Sequence, residues 1–148
     1  MIPLTNKEKI QCLEQYQILH TEIDQISDEL QRWQDIATRI SPSYSDMPHG
    51  GGEDKVQTAA VEVAELTDKL NEKIHEAVMM QDKMKSLLEI IKDDKLRQLM
   101  TLHYINGKNW KEVSAIMKYE YHYTGRLHGK ALSLIKKKDI ERYLNHMI

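Results

Sequence analysis

From Cys12 onward the chain sets apolar or aromatic residues at alternating spacings of four and three: Cys12, Tyr16, Leu19, Ile23, Ile26, Leu30, Trp33, Ala37 and Ile40. This spacing puts all of them on one seam of a helix that supercoils against a partner, with Glu, Asp and Gln on the outside. At about 1.5 Å per residue the seam is roughly 42 Å long. A second series follows at Val56, Ala59, Val63, Leu66, Leu70, Lys73, Ala77, Met80, Met84, Leu87 and Ile91, interrupted only by Lys73. Pro42, Pro48 and the glycines at 50–52 separate the two series, because proline disfavours helix in the residue before it and glycine resists ordering. The expected element is a long antiparallel coiled-coil helical hairpin over residues 1–92, with helices at about 6–40 and 55–92 and a loop at 41–54.

The seams alone do not account for every apolar residue. Leu13, Ile36, Ile74, Met79 and Leu88 lie beside them, so further burial is expected, in a homodimer or against the C-terminal module. Lys73 either selects register or partner, or packs its stem while its ammonium reaches water. Met79, Met80 and Met84 read first as core, with an adaptable partner surface as the alternative.

Composition supports an all-α fold: 30% of residues are charged, Phe is absent, and there are 6 Gly and 3 Pro. The net charge of −2 conceals an asymmetry, since residues 1–92 hold 10 Lys and Arg against 17 Asp and Glu, whereas residues 93–148 hold 11 against 6. A basic last third on an acidic chain fits a polyanionic partner there, with clustering of solvated charge as the plainer account. Cys12 is the only cysteine, which leaves no intramolecular disulfide and no CxxC metal or redox site. Met1–Asn6 lead directly into charged residues without the apolar core of a signal peptide, and no stretch reaches membrane-spanning length, so a cytoplasmic location without membrane contact is expected. The glycines at 50–52 lack the Gly-Lys-Ser/Thr of a phosphate loop. No nucleophile with a base, paired carboxylates or metal cluster emerges, so neither an enzyme nor a cofactor is expected.

Residues 93–148 read as a separate module. Asp93 or Asp94 caps a helix over Lys95–Ile105 that Asn106-Gly107 ends. Asn109 and Glu112 have the spacing of a capping box, opening a short helix from Trp110 to Met117 in which Ser114 is small enough for close helix approach. Lys118-Tyr119-Glu120 forms a tight connection to a longer helix from Tyr121, with Thr124, Leu127, Ala131 and Leu134 facing inward. Short helix, turn, longer basic helix is the pattern of a helix-turn-helix. Ile140, Tyr143, Leu144 and Met147 share a face in the tail, which either extends the last helix or turns back as a small dimerising one.

The stretch Leu102-His103-Tyr104-Ile105-Asn106-Gly107-Lys108-Asn109-Trp110-Lys111-Glu112-Val113-Ser114, through His128-Gly129-Lys130-Ala131-Leu132, resembles region 4 of bacterial sigma factors. It is more similar to the phage-encoded late-gene regulators of the ArpU and RinA type from Gram-positive bacteria, and the segment Ile40-Ser41-Pro42-Ser43-Tyr44-Ser45-Asp46-Met47-Pro48 resembles one branch of them. The resemblance implies a phage or prophage transcription regulator that binds double-stranded DNA, with host RNA polymerase as a possible second partner. In such modules the second helix enters the major groove. Carried onto this chain, the base-reading positions are Tyr121, His122, Gly125 and Arg126, with Arg126 suited to the O6 and N7 of guanine. Lys108, Lys111, Lys118, His128, Lys130 and the run Lys136-Lys137-Lys138 are the expected phosphate contacts.

Three residues depart from the pattern. Glu120 stands where serine or threonine often caps, Tyr121-His122 replaces more basic residues, and Gly125 lies inside the helix. Tyr121 and Tyr123 fit either packing of the helix start or contact with DNA. His122 and His128 lack a ligand at i+3 or i+4, so a surface or phosphate-contacting role is expected rather than a metal. Two other functions remain open: a small terminase-like packaging component, and an adaptor that docks on polymerase or a sigma factor.

Overall fold

The computed structural model describes residues 4–44 and 50–145, and these form six α-helices and one π-helical segment, with no strand among them. The first two helices are α1 (Asn6–Tyr44) and α2 (Gly50–Leu88), followed by α3 (Asp94–Met100) and the π segment (Thr101–Ile105). Three more complete the chain: α4 (Trp110–Met117), α5 (Tyr121–Leu134) and α6 (Lys137–Asn145). The fold is all-α, and α1 packs along α2.

The seam accounts for that packing. Tyr16, Leu19 and Ile26 of α1 and Ala59, Leu66, Ala77, Met80, Met84 and Leu87 of α2 are buried. Tyr16 donates its hydroxyl to Gln81 at 3.0 Å, and Lys73 lies 3.2 Å from Glu22, so advancing along α1 means retreating along α2. Lys73 stays half-buried on the seam, and its ammonium joins the carboxylates of Glu22 on the facing helix and of Glu76, 3.7 Å away, which raise its pKa. The side chain of Ile40 lies outside the described residues.

The helix limits correct the expected ones. α1 runs through Tyr44 and α2 begins at Gly50, both inside the loop expected at 41–54; residues 45–49 of that loop lie outside the described set. A helix already formed gains a hydrogen bond with each added residue, so proline and glycine set its end only to within about a turn. At the other end α2 stops at Leu88 rather than 92, because the amides of Ile90 and Ile91 turn back to the carbonyls of Leu87 and Leu88 in tighter i→i−3 bonds.

The chain forms two compact units, which do not divide at residue 92. One combines Met1–Ile18 with Ala77–Ile148, and the other is Leu19–Glu76. In the first, the beginning of α1 is part of the C-terminal module. Leu13 is fully buried, Gln17 Nε2 donates to the carbonyls of Tyr104 and Ile105 at 2.9 and 3.1 Å, and the Lys9 ammonium donates to the carbonyl of Leu132 at 2.9 Å. The carbonyls of Tyr104 and Ile105 end the π segment, where no intrahelical donor remains, whereas that of Leu132, near the end of α5, also accepts from the amide of Ile135. Leu88, Ile91, Leu96, Leu99, Met100, Leu132 and Ile135 fill the same core. Of the residues beside the seam, Leu13 and Leu88 are buried here, whereas Ile36, Ile74 and Met79 stay exposed.

This arrangement makes α1 residues matter to a module remote in sequence. Leu13→Ala should cost about 3 kcal/mol, and Gln17→Ala about 1–2 kcal/mol through the carbonyls it leaves unbonded. Ile18→Ala, at an exposed neighbour, should change stability by under about 0.5 kcal/mol. Urea unfolding followed by circular dichroism measures all three.

Candidate nucleic-acid interface

Each turn of the C-terminal module is held by a local bond that its sequence supplies. Asp93 caps α3 by accepting from the amides of Lys95 and Leu96. Thr101–Ile105 then widens into a π turn, with the amide of Asn106 bonded to the carbonyl of Thr101, and Gly107 follows at φ 74°, the left-handed region that favours glycine. Asn109 and Glu112 form the reciprocal capping box that opens α4. α4 ends at Lys118, which takes the left-handed conformation (φ 61°) without being glycine.

α4 and α5 approach closely where Ser114 donates its hydroxyl to Thr124 Oγ1 at 2.9 Å, and Ser114, Thr124, Val113 and Leu127 are buried around that contact. Glu120 caps α5 through both carboxylate oxygens, accepting from the amides of His122 and Tyr123. Those bonds lower its pKa, with the nearby charges of His122 and Arg126 adding to the effect. The unusual residue before the helix is thus a working N-cap, complementary to the helix dipole.

Tyr121, His122, Gly125 and Arg126 all lie on the exposed side of α5. The Arg126 guanidinium sits over the Tyr123 ring at 5.6 Å, and Tyr123 meets Tyr119 edge to face at 5.3 Å, so the start of the helix is packed while its outward face stays open. A methyl group added at Gly125 would meet nothing within 4 Å. Lys111, Lys118, Lys130 and Lys138 are exposed. Lys108 is half-buried, Lys136 donates its ammonium to the carbonyl of Ser133, and Lys137 lies 4.0 Å from Glu141, which partly balances it.

His128 is the correction to the expected set. It faces inward, sharing a 2.7 Å hydrogen bond between Nε2 and the Tyr104 hydroxyl, with its ring 4.3 Å from that of Trp110. His103 stacks on the other residue of this pair, Trp110, at 3.9 Å, and its Nδ1 bonds the carbonyl of Lys108. Burial, and then the adjacent His103, push the His128 pKa down to about 4. Burial also lowers that of His103, against the Lys108 carbonyl and Glu14, which favour its charged form. A neutral His128 offers no charge to a phosphate; it joins the π segment to α4 and α5. The sequence carried no periodic signal for this cluster, because His103 and Tyr104 are adjacent and only the π turn lets both reach it.

Two further expectations change. Leu134 is 40% exposed while Leu132 and Ile135 are buried, because α5 ends at Leu134 and the chain turns. The tail is a separate helix, α6, started by the amide of Lys136 donating to Asp139; it buries Ile140 and Tyr143 within the chain, leaves Leu144 exposed, and Met147 lies outside the described residues.

A family model described as a protein of unknown function, DUF1492, matches residues 39–128, more than half of the chain. The chain belongs to the DUF1492 family. No curated protein and no solved structure matches it. The DUF1492 segment includes α2, α3, the π turn, α4 and α5 as far as His128, and so holds the aromatic cluster and all four outward residues of the α5 start. No described helix is long and apolar enough to cross a membrane.

The buried imidazole gives this DUF1492 chain a defined acid response. An unfolded histidine titrates near 6.5 and folded His128 near 4, so the unfolded state binds the extra proton first as pH falls. Its contribution is complete above about pH 6.5 and lost progressively toward pH 4. With allowance for its partial exposure, stability should drop by about 1–2 kcal/mol between pH 7 and 5. Urea titrations at the two pH values, repeated with His128→Gln, should show the slope diminished in the variant.

Proposed function

We propose that the chain is a DNA-binding transcription regulator, of the kind the resemblance to phage late-gene regulators implies. The observation that carries this reading is the two-sided construction of α5. One side is locked to α4 through Ser114, Thr124 and Leu127, and the other presents Tyr121, His122 and Arg126 to solvent beside exposed lysines. A helix fixed by its inner face and bare on its outer face is what a major groove accommodates. Arg126 reads a base edge, while Lys111, Lys118, Lys130, Lys136 and Lys138 supply phosphate contacts that set affinity and its salt dependence. Gly125 lets the backbone approach the groove, at a cost of about 1 kcal/mol in helix stability relative to alanine. His128 no longer belongs among the phosphate contacts, and Lys137 contributes less than its neighbours because of Glu141.

In this reading the hairpin serves self-association or contact with RNA polymerase, and such modules act on DNA as dimers with half-sites about one helical turn apart. The deciding experiment measures binding of the full chain to its own upstream region and to random duplex across a salt series. Arg126→Ala should weaken the preferred site by about 1–3 kcal/mol and random duplex far less, whereas Lys130→Ala should weaken both alike and reduce the salt slope by about one. Gly125→Ala should stabilise the fold by about 1 kcal/mol and still weaken DNA binding. Equal losses on both duplexes for Arg126→Ala would remove it from base reading, and absence of any salt-sensitive binding would refute the DNA-binding reading itself.

A further inference from the structure

A concavity of the C-terminal unit is lined by none of the four outward residues Tyr121, His122, Gly125 and Arg126 of α5. It is an open groove of about 970 Å³ between the end of α2, the α3 and π segment, and the end of α4 with its turn. Leu88, Leu102, Ile105, Ile116, Met117 and Tyr119 line it. Ile116 is 51% exposed although it belongs to a short helix whose other face is fully packed. An exposed branched aliphatic side chain beside an apolar groove leaves a surface that water solvates poorly.

The rim charges discriminate between occupants. Asp94 and Arg97 neutralise each other in an ion pair, and Arg97 also donates to the carbonyl of Ile91. The Lys95 ammonium sits over the Tyr119 ring at 5.7 Å. Lys85 and Glu89 remain, exposed one turn apart at the end of α2, with no ion pair between them or to another described residue. A rim of mixed sign, on which Lys85 and Lys95 lack an ion pair and so does Glu89, suits neither a polyanion nor a uniformly acidic or basic peptide. It is complementary to itself when reversed, as a two-fold interface requires.

We propose that this groove is a homodimer interface, in which a two-fold axis crosses the end of α2. Lys85 of each copy meets Glu89 of the other, and Ile116 of each copy enters the apolar groove of the other. The interface thus lies in the same compact unit as α5. Only its consequence for operator spacing rests on the DNA-binding reading, since the contact between copies forms without DNA.

Sedimentation velocity of the full chain over a concentration series tests the contact directly. The wild type should dimerise. Ile116→Glu should weaken the dimer at least about tenfold while circular dichroism shows the fold retained, Ile116 being half-exposed already. Lys85→Glu should weaken it too, and Lys85→Glu with Glu89→Lys should restore it, because the pair is reversed on both copies. A wild type that stays monomeric, an unchanged dimer in Ile116→Glu, or a double reversal no stronger than Lys85→Glu would each overturn the proposal. Binding of Ile116→Glu to a DNA half-site, measured in parallel, separates loss of the dimer from failure of the DNA-binding reading.

Discussion

The C-terminal unit depends on the bonds that α1 makes to carbonyl oxygens at the ends of the π segment and α5. The π segment ends at Ile105 with the carbonyls of Tyr104 and Ile105 beyond its own amides, while near the end of α5 the Leu132 carbonyl takes one bond from the amide of Ile135 and has a second lone pair to offer. Gln17 and Lys9, from the first turns of α1, reach those acceptors across 87, 88 and 123 residues of sequence. A buried carbonyl without a donor costs about 1–3 kcal/mol, so these long-range bonds fix where α1 must lie. The burial of Lys9 lowers its pKa, and nearby Lys136 acts in the same direction. The ammonium is held by a dipole rather than by a carboxylate. Leu13 then fills the space between the two polar anchors.

With α1 in place, the rest of the unit is assembled around neutral aromatic groups. Tyr104, Trp110, His103 and His128 bring the π turn, the start of α4 and the middle of α5 to one point. Had His128 been charged, its desolvation would oppose this arrangement; as a neutral ring it both packs and hydrogen-bonds. The inner face of α5 is consequently determined twice, by this cluster and by the Ser114–Thr124 bond. On its outer side a side chain at 125 would meet nothing within 4 Å, so the helix-weakening glycine there forfeits no packing.

The elements were legible where a single local rule decides them. The seam residues from Cys12 to Ala37 and from Val56 to Ile91 are all at least half-buried, and the capping box at Asn109 and Glu112 opens α4 at Trp110 and delivers it to Met117. Sequence failed where two elements compete or distant ones meet. A hydrophobic period cannot announce a π turn, so the inward direction of His103 and Tyr104 was invisible, and with it that of His128. Nor does a helical pattern reveal Lys9 and Gln17, which look like ordinary solvated residues until the carbonyls they satisfy are located. The end of α5 escapes the sequence for a related reason: Leu132, Leu134 and Ile135 are all apolar, and only the turn before α6 decides which two are buried.

The extent of the DUF1492 match sharpens this dependence. Residues 39–128 contain the helices that build the outward face, yet exclude Lys9, Leu13 and Gln17 at one end and Leu132, Ile135, Ile140 and Tyr143 at the other. The matched segment is therefore not a closed fold in this chain, since its α5 lacks the final apolar turn and its π segment lacks the donor to its last carbonyls. The physical unit is thus larger than the segment that the family model spans, and the added parts are those that hold α5 in place rather than those on its outward face.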